Sequence, residues 1–71
     1  MSAKFIVEYA GAPVRFSERT GGLFELVQEH QASRFICEAD AWLKANANGL
    51  ALRHCEVINL YERQLAAAST N

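Results

Sequence analysis

Hydrophobic and polar residues alternate along the first quarter of the chain, and the period then changes. In Lys4-Phe5-Ile6-Val7-Glu8-Tyr9, Phe5, Val7 and Tyr9 fall on one side, and Lys4 and Glu8 on the other. A half-buried strand requires this period of two. Ala10-Gly11-Ala12-Pro13 interrupts it, with the only proline placed for a turn. Alternation resumes over Val14-Arg15-Phe16-Ser17-Glu18, with Val14 and Phe16 inward, so the two segments read as a hairpin. Arg19-Thr20-Gly21-Gly22 marks a second turn. Residues 23–30 satisfy two templates. Leu23, Leu26, Val27 and His30 have helical spacing, whereas residues 23–27, closed by polar residues 28–31, fit a short meander strand. Two glycines after a hairpin favour the strand.

The segment 34–62 predicts a strand–helix–strand core. A helix over 38–48 is bounded by Cys37 at the cap position, with Asp40 three residues on as a weakened capping box, and by Gly49 as a left-handed stop. Glu38 and Asp40 suit the positive end of its dipole. Ala39, Trp42, Leu43 and Ala47 form the expected inward stripe. In residues 54–62, Cys55, Val57, Asn59 and Tyr61 share one face and Ile58 and Leu60 the other. Apolar residues on both sides predict a central strand or a strand at an interface. Residues 1–63 form one domain, and 64–71 read as a frayed helical turn or a disordered tail. The expected fold is α+β: a small, mostly antiparallel sheet, built as a meander, a helix and a C-terminal strand, with one main helix on one face. The competing order, β-β-α-β-α-β, places a further helix over 22–31.

Composition narrows the functional classes. A chain of 71 residues with 51% hydrophobic content supports one core and argues against disorder. Such a small core also favours self-association. The net charge of −1, with both signs scattered, lacks the basic excess typical of nonspecific nucleic-acid binders. There is no signal-like or membrane-spanning apolar run, and Ser2 stands where myristoylation needs glycine. A cytoplasmic location is therefore expected. Cys37 and Cys55 are too few for a disulfide framework. They read as reduced, partly buried thiols acting as small hydrophobes, with a disulfide between neighbouring strands left open.

Candidate chemistry is sparse. Cys37, Cys55, His30 and His54 lack the paired spacing of a metal site, and adjacent His54 and Cys55 would point to opposite faces of a strand. Cys37 at a helix start has the position of an activated thiol, but so small a chain has little room for a substrate pocket beside its core. Thr20-Gly21-Gly22 lacks the frame of a phosphate loop. The acids are spread singly. No enzyme activity, metal or cofactor is expected. Arg15, Arg19, Arg34 and Arg53 lie near strand ends and turns, with Tyr9 or Phe24 available for stacking, which would suit a nucleic-acid-binding regulator with an arginine-bearing sheet edge. Protein binding fits better. Ile58, Leu60 and Tyr61 are the interface candidates, and Trp42 is a weaker one that more naturally fills the core. The phrase Ala32-Ser33-Arg34-Phe35 followed by Glu38-Ala39-Asp40-Ala41-Trp42 resembles, in a generic way, small bacterial and phage accessory domains. That resemblance names no family and assigns no residue. The expected function is a non-enzymatic protein-binding module, an inhibitor, adaptor or assembly factor that docks on a larger protein and forms a homo-oligomer.

Overall fold

The alternating N-terminal segments form strands β1 (Phe5–Tyr9) and β2 (Ala12–Phe16) in a computed structural model that describes residues 3–17 and 24–69. Their turn is tighter than the sequence predicts. Tyr9 pairs with Ala12, and the two residues between them, Ala10 and Gly11, have φ of 52° and 87°. Positive φ at both central positions is the two-residue hairpin turn whose twist matches the strands. Pro13 therefore lies inside β2, not in the turn. Its carbonyl accepts the Val27 N–H at 2.9 Å, but its nitrogen has no proton to return, so the ladder to the next strand ends there. The turn expected at 19–22 and the strand end at Glu18 lie outside the described residues.

The ambiguous stretch resolves as strand β3 (Phe24–Leu26), antiparallel to β2, followed by a 3-10 turn at Glu29–Gln31. Helix α1 (Glu38–Ala47) then crosses to strand β4 (Cys55–Asn59), which pairs antiparallel with the whole of β1. The sheet order is β3-β2-β1-β4. Because β1 and β2 pair only at their turn end, the other half of β1 takes a different neighbour. Phe5 and Phe35 exchange both backbone hydrogen bonds, at 3.0 and 2.8 Å. Ser33 fills the gap to β2, donating its N–H to the Val14 carbonyl and accepting the Phe16 N–H on its hydroxyl.

Helix α1 stops as expected. Gly49 (φ 76°) follows the cap, its N–H donates to the Asn46 carbonyl, and Leu50 N–H donates to Ala45. This doubly bonded C-terminal motif buries Leu50 against the helix. At the start, Cys37 makes no side-chain cap. The inward stripe differs from the expected one. Ala41 and Ala45 are fully buried, Trp42 is half-buried with its indole N–H toward Glu38, and Ala39, Leu43 and Ala47 are exposed. Two alanines one turn apart let the helix axis sit close to the sheet, where Leu43 or Trp42 would hold it away. The core cluster beneath comprises Val7, Val14, Phe16, Ala41, Ala45 and Leu50.

The last strand is shorter than predicted and on the edge of the sheet, not central. It stops at Asn59, and Leu60–Ser69 forms a ten-residue helix, α2. The cause is local: the Asn59 side-chain carbonyl accepts the Glu62 N–H at 3.1 Å, the first half of a capping box spaced Asn-x-x-Glu. Leu60 and Tyr61 are thus helical, and residues 64–69 take the helical of the two tail readings. Residues 61–68 of the helix are exposed, and Arg63 reaches the sheet face opposite α1. Arg63 there binds Glu8 of β1 at 3.1 Å and Glu29 of the 3-10 turn at 3.3 Å. The Glu8 hydrogen bond, against a smaller opposing effect of burial, raises the Arg63 pKa further above its ordinary value. The fold is α+β, as expected, with a second helix after the last strand.

Candidate docking cleft

Three segments distant in sequence meet at the Phe5 end of β1. The β1·β4 ladder continues one step beyond the strands, through the Leu60 N–H donating to the Lys4 carbonyl at 2.8 Å. The Phe5–Phe35 bridge fixes the approach to α1 at the same end, and the Asn59 cap starts α2 there. Between them lies a cleft of about 380 Å³ lined by Ala3, Lys4, Arg34, Leu60, Tyr61 and Gln64. The Lys4 ammonium stands 5.7 Å from the Phe5 ring centroid and 5.9 Å from that of Tyr61. Each such contact contributes about 0.5–1 kcal/mol at an exposed site. Among the described residues neither Lys4 nor Arg34 forms an ion pair, and no acid lines the cleft. It is a local positive site with an aromatic wall on a chain of net charge −1.

The sequence-nominated residues divide accordingly. Leu60 and Tyr61 come together in the cleft, and Arg34, nominated for a different ligand, joins them. Ile58 is half-buried opposite Ile6, so it faces away from α1 as expected but is partly covered within the protomer. Arg15, Arg34 and Arg53 do not assemble one edge. Arg15 is held by Glu25 across β2·β3 through Nε at 2.9 Å and a second contact from Nη2. Arg53 sits in the 3-10 turn Leu52–His54 at the Tyr9 end of β1, its Nε–H donating to His54. Four strand steps, about 13 Å of backbone, separate that end from Arg34. Arg19 lies outside the described residues. The stacking candidates Tyr9 and Phe24 pack edge-on against each other with centroids 5.8 Å apart. Sequence reasoning missed Lys4 and Gln64. The alternation marks Lys4 only as solvent-facing, and Gln64 falls in the stretch that reads as a tail.

Among the described residues no group of three His, Cys, Asp or Glu side chains converges, and no helix is long and apolar enough to cross a membrane. Both cysteines are free thiols. Cys37 is exposed, not partly buried, because the residue before α1 faces outward, whereas Cys55 is half-buried. Burial pushes the Cys55 pKa above the ordinary thiol value. Iodoacetamide at neutral pH is expected to modify Cys37 well before Cys55, followed by mass spectrometry. A folded pKa above the unfolded one favours the protonated thiol. The small stabilisation from Cys55 is therefore complete below the unfolded thiol pKa and fades as pH rises through the folded one. Equal alkylation rates would contradict this placement.

Compared with protein-family models, with curated proteins and with solved structures, the chain matches none of them.

Proposed function

We propose that this chain is a non-enzymatic docking module, acting as an inhibitor, adaptor or assembly factor that seats an acidic, partly apolar segment of a larger protein in the cleft at the start of α2. The cleft itself carries the reading. It places the apolar and aromatic surface of Leu60 and Tyr61 beside two cations, Lys4 and Arg34, that no described acid neutralises. A tyrosine flanked by cations suits a carboxylate-bearing segment, because the ring buries area at small entropic cost while the cations set orientation and encounter rate. A nucleic-acid ligand has less support, since Arg15 is engaged by Glu25 and Arg53 stands at the far end of the sheet.

The test is a photo-crosslinking amino acid placed at Tyr61 and, separately, at Leu43, which is 66% exposed on α1. Position 61 is expected to link a second polypeptide in extracts of the native host, and position 43 is not. Combining the crosslinker with Lys4→Glu and Arg34→Glu should weaken that product at least about tenfold, the effect of about 1.4 kcal/mol. Equal yields from both positions, a product containing only a second copy of this chain, or indifference to the charge reversals would each overturn the reading.

A further inference from the structure

The two edges of the sheet differ in how they are guarded. At one edge, β3 is three residues long and carries charged Glu25, paired with Arg15 of β2, both features that discourage further strands. At the other, β4 has five residues, Cys-Glu-Val-Ile-Asn, with no lysine, proline or bulge. The register settles which of its backbone groups are free. Leu60 N–H bonds to the Lys4 carbonyl and Ala10 N–H to the His54 carbonyl. By the alternation of an antiparallel ladder, Glu56 and Ile58 also turn their backbone groups toward β1. Cys55, Val57 and Asn59 turn theirs outward. Two of those outward groups are already used: Cys55 N–H donates to the Leu52 carbonyl, and the Asn59 carbonyl, at the cap of α2, accepts that helix's first bond.

What remains is self-complementary. The free groups are the Cys55 carbonyl, the Val57 N–H and carbonyl, and the Asn59 N–H. We infer that the protein pairs with a second copy of itself along β4, antiparallel about a two-fold axis at Val57. In that register Val57 exchanges both hydrogen bonds with its symmetry mate, and each Asn59 N–H donates to the opposing Cys55 carbonyl. The two groups without a free partner are the two already satisfied within the protomer. A shift by two residues would break this match. The pairing also sets Glu56 opposite Ile58, not opposite another acid, so like charges do not meet directly. It finishes the burial of half-exposed Val57 and Ile58 in a chain where, among the described residues, the largest fully buried side chains are Ile6, Val7 and Val14. It leaves the α2 cleft outside the strand junction and does not depend on what that cleft binds.

Sedimentation equilibrium and amide exchange on the unaltered chain test it together. A mass of twice 7.9 kDa is expected at high concentration. Exchange of the Val57 and Asn59 amides should slow about tenfold or more from micromolar to millimolar protein, following mass action, while the Glu56 and Ile58 amides stay protected throughout. Val57→Pro deletes an outward N–H, at the cost of some side-chain packing against the core cluster, and should leave a folded monomer. If that variant does not fold, the wild-type measurements still decide. A single-chain mass at millimolar concentration would overturn the inference, as would a dimer in which Val57 and Asn59 exchange as freely as in dilute solution.

Discussion

Replacing Ile6 by alanine is expected to cost about 2–5 kcal/mol, enough to remove most of the folding free energy of a chain this small, for which about 3–5 kcal/mol is usual. Ile6 is fully buried yet does not belong to the core cluster beneath α1. It lies on the other face of β1, paired with Ile58. On that face Glu8 is tied to Arg63 of α2, and Ala32 is likewise buried outside the cluster beneath α1. Deleting the Ile6 side chain beyond Cβ removes apolar area and leaves a cavity beside a strand held in two ladders, which is not free to collapse. Ile58→Ala, at a half-exposed neighbour, should cost roughly a third as much. Urea denaturation followed by circular dichroism measures both. A loss below about 1 kcal/mol for Ile6→Ala would mean that Ile6 is not sealed from water on this face.

Where two levels of physics agree locally, the sequence is legible. The hairpin, the lean toward a strand within 23–27, the span of α1 and its stop at Gly49 all follow from periodicity plus a turn or cap residue within a few positions. The failures share a different origin. Leu60 and Tyr61 prolong the alternation of β4 by two residues, and that pattern outweighed the short Asn59-x-x-Glu62 cap, although the hydrogen bond to Asn59 ends the strand. The cleft is less legible still. Leu60 and Tyr61 read as a protein interface, whereas Arg34 reads as a nucleic-acid contact. Only the Phe5–Phe35 bridge, a contact across thirty residues that no local pattern encodes, brings Arg34 to the start of α2. Lys4 and Gln64 gain their meaning from the same convergence.

The stripe of α1 makes the sharpest contrast between hydrophobicity and fit, and it sets the second large effect. Hydrophobicity selects Leu43 as inward and treats Ala45 as filler, whereas the structure exposes Leu43 at 66% and buries Ala45 completely. Ala45→Leu is therefore expected to destabilise by about 1–3 kcal/mol, although leucine is the more hydrophobic residue and helix propensity is nearly unchanged. The added carbons must enter a space bounded by Val7, Val14 and Phe16, or α1 must lift from the sheet. Lifting it would strain the Leu50 N–H bond to the Ala45 carbonyl that closes the helix. Leu43→Ala should change stability by less than about 0.5 kcal/mol, as for other surface positions without special contacts. Paired melts of the two variants decide the matter. If Leu43→Ala proves the costlier change, α1 packs through the face that its larger side chains mark, and its close approach on Ala41 and Ala45 is wrong.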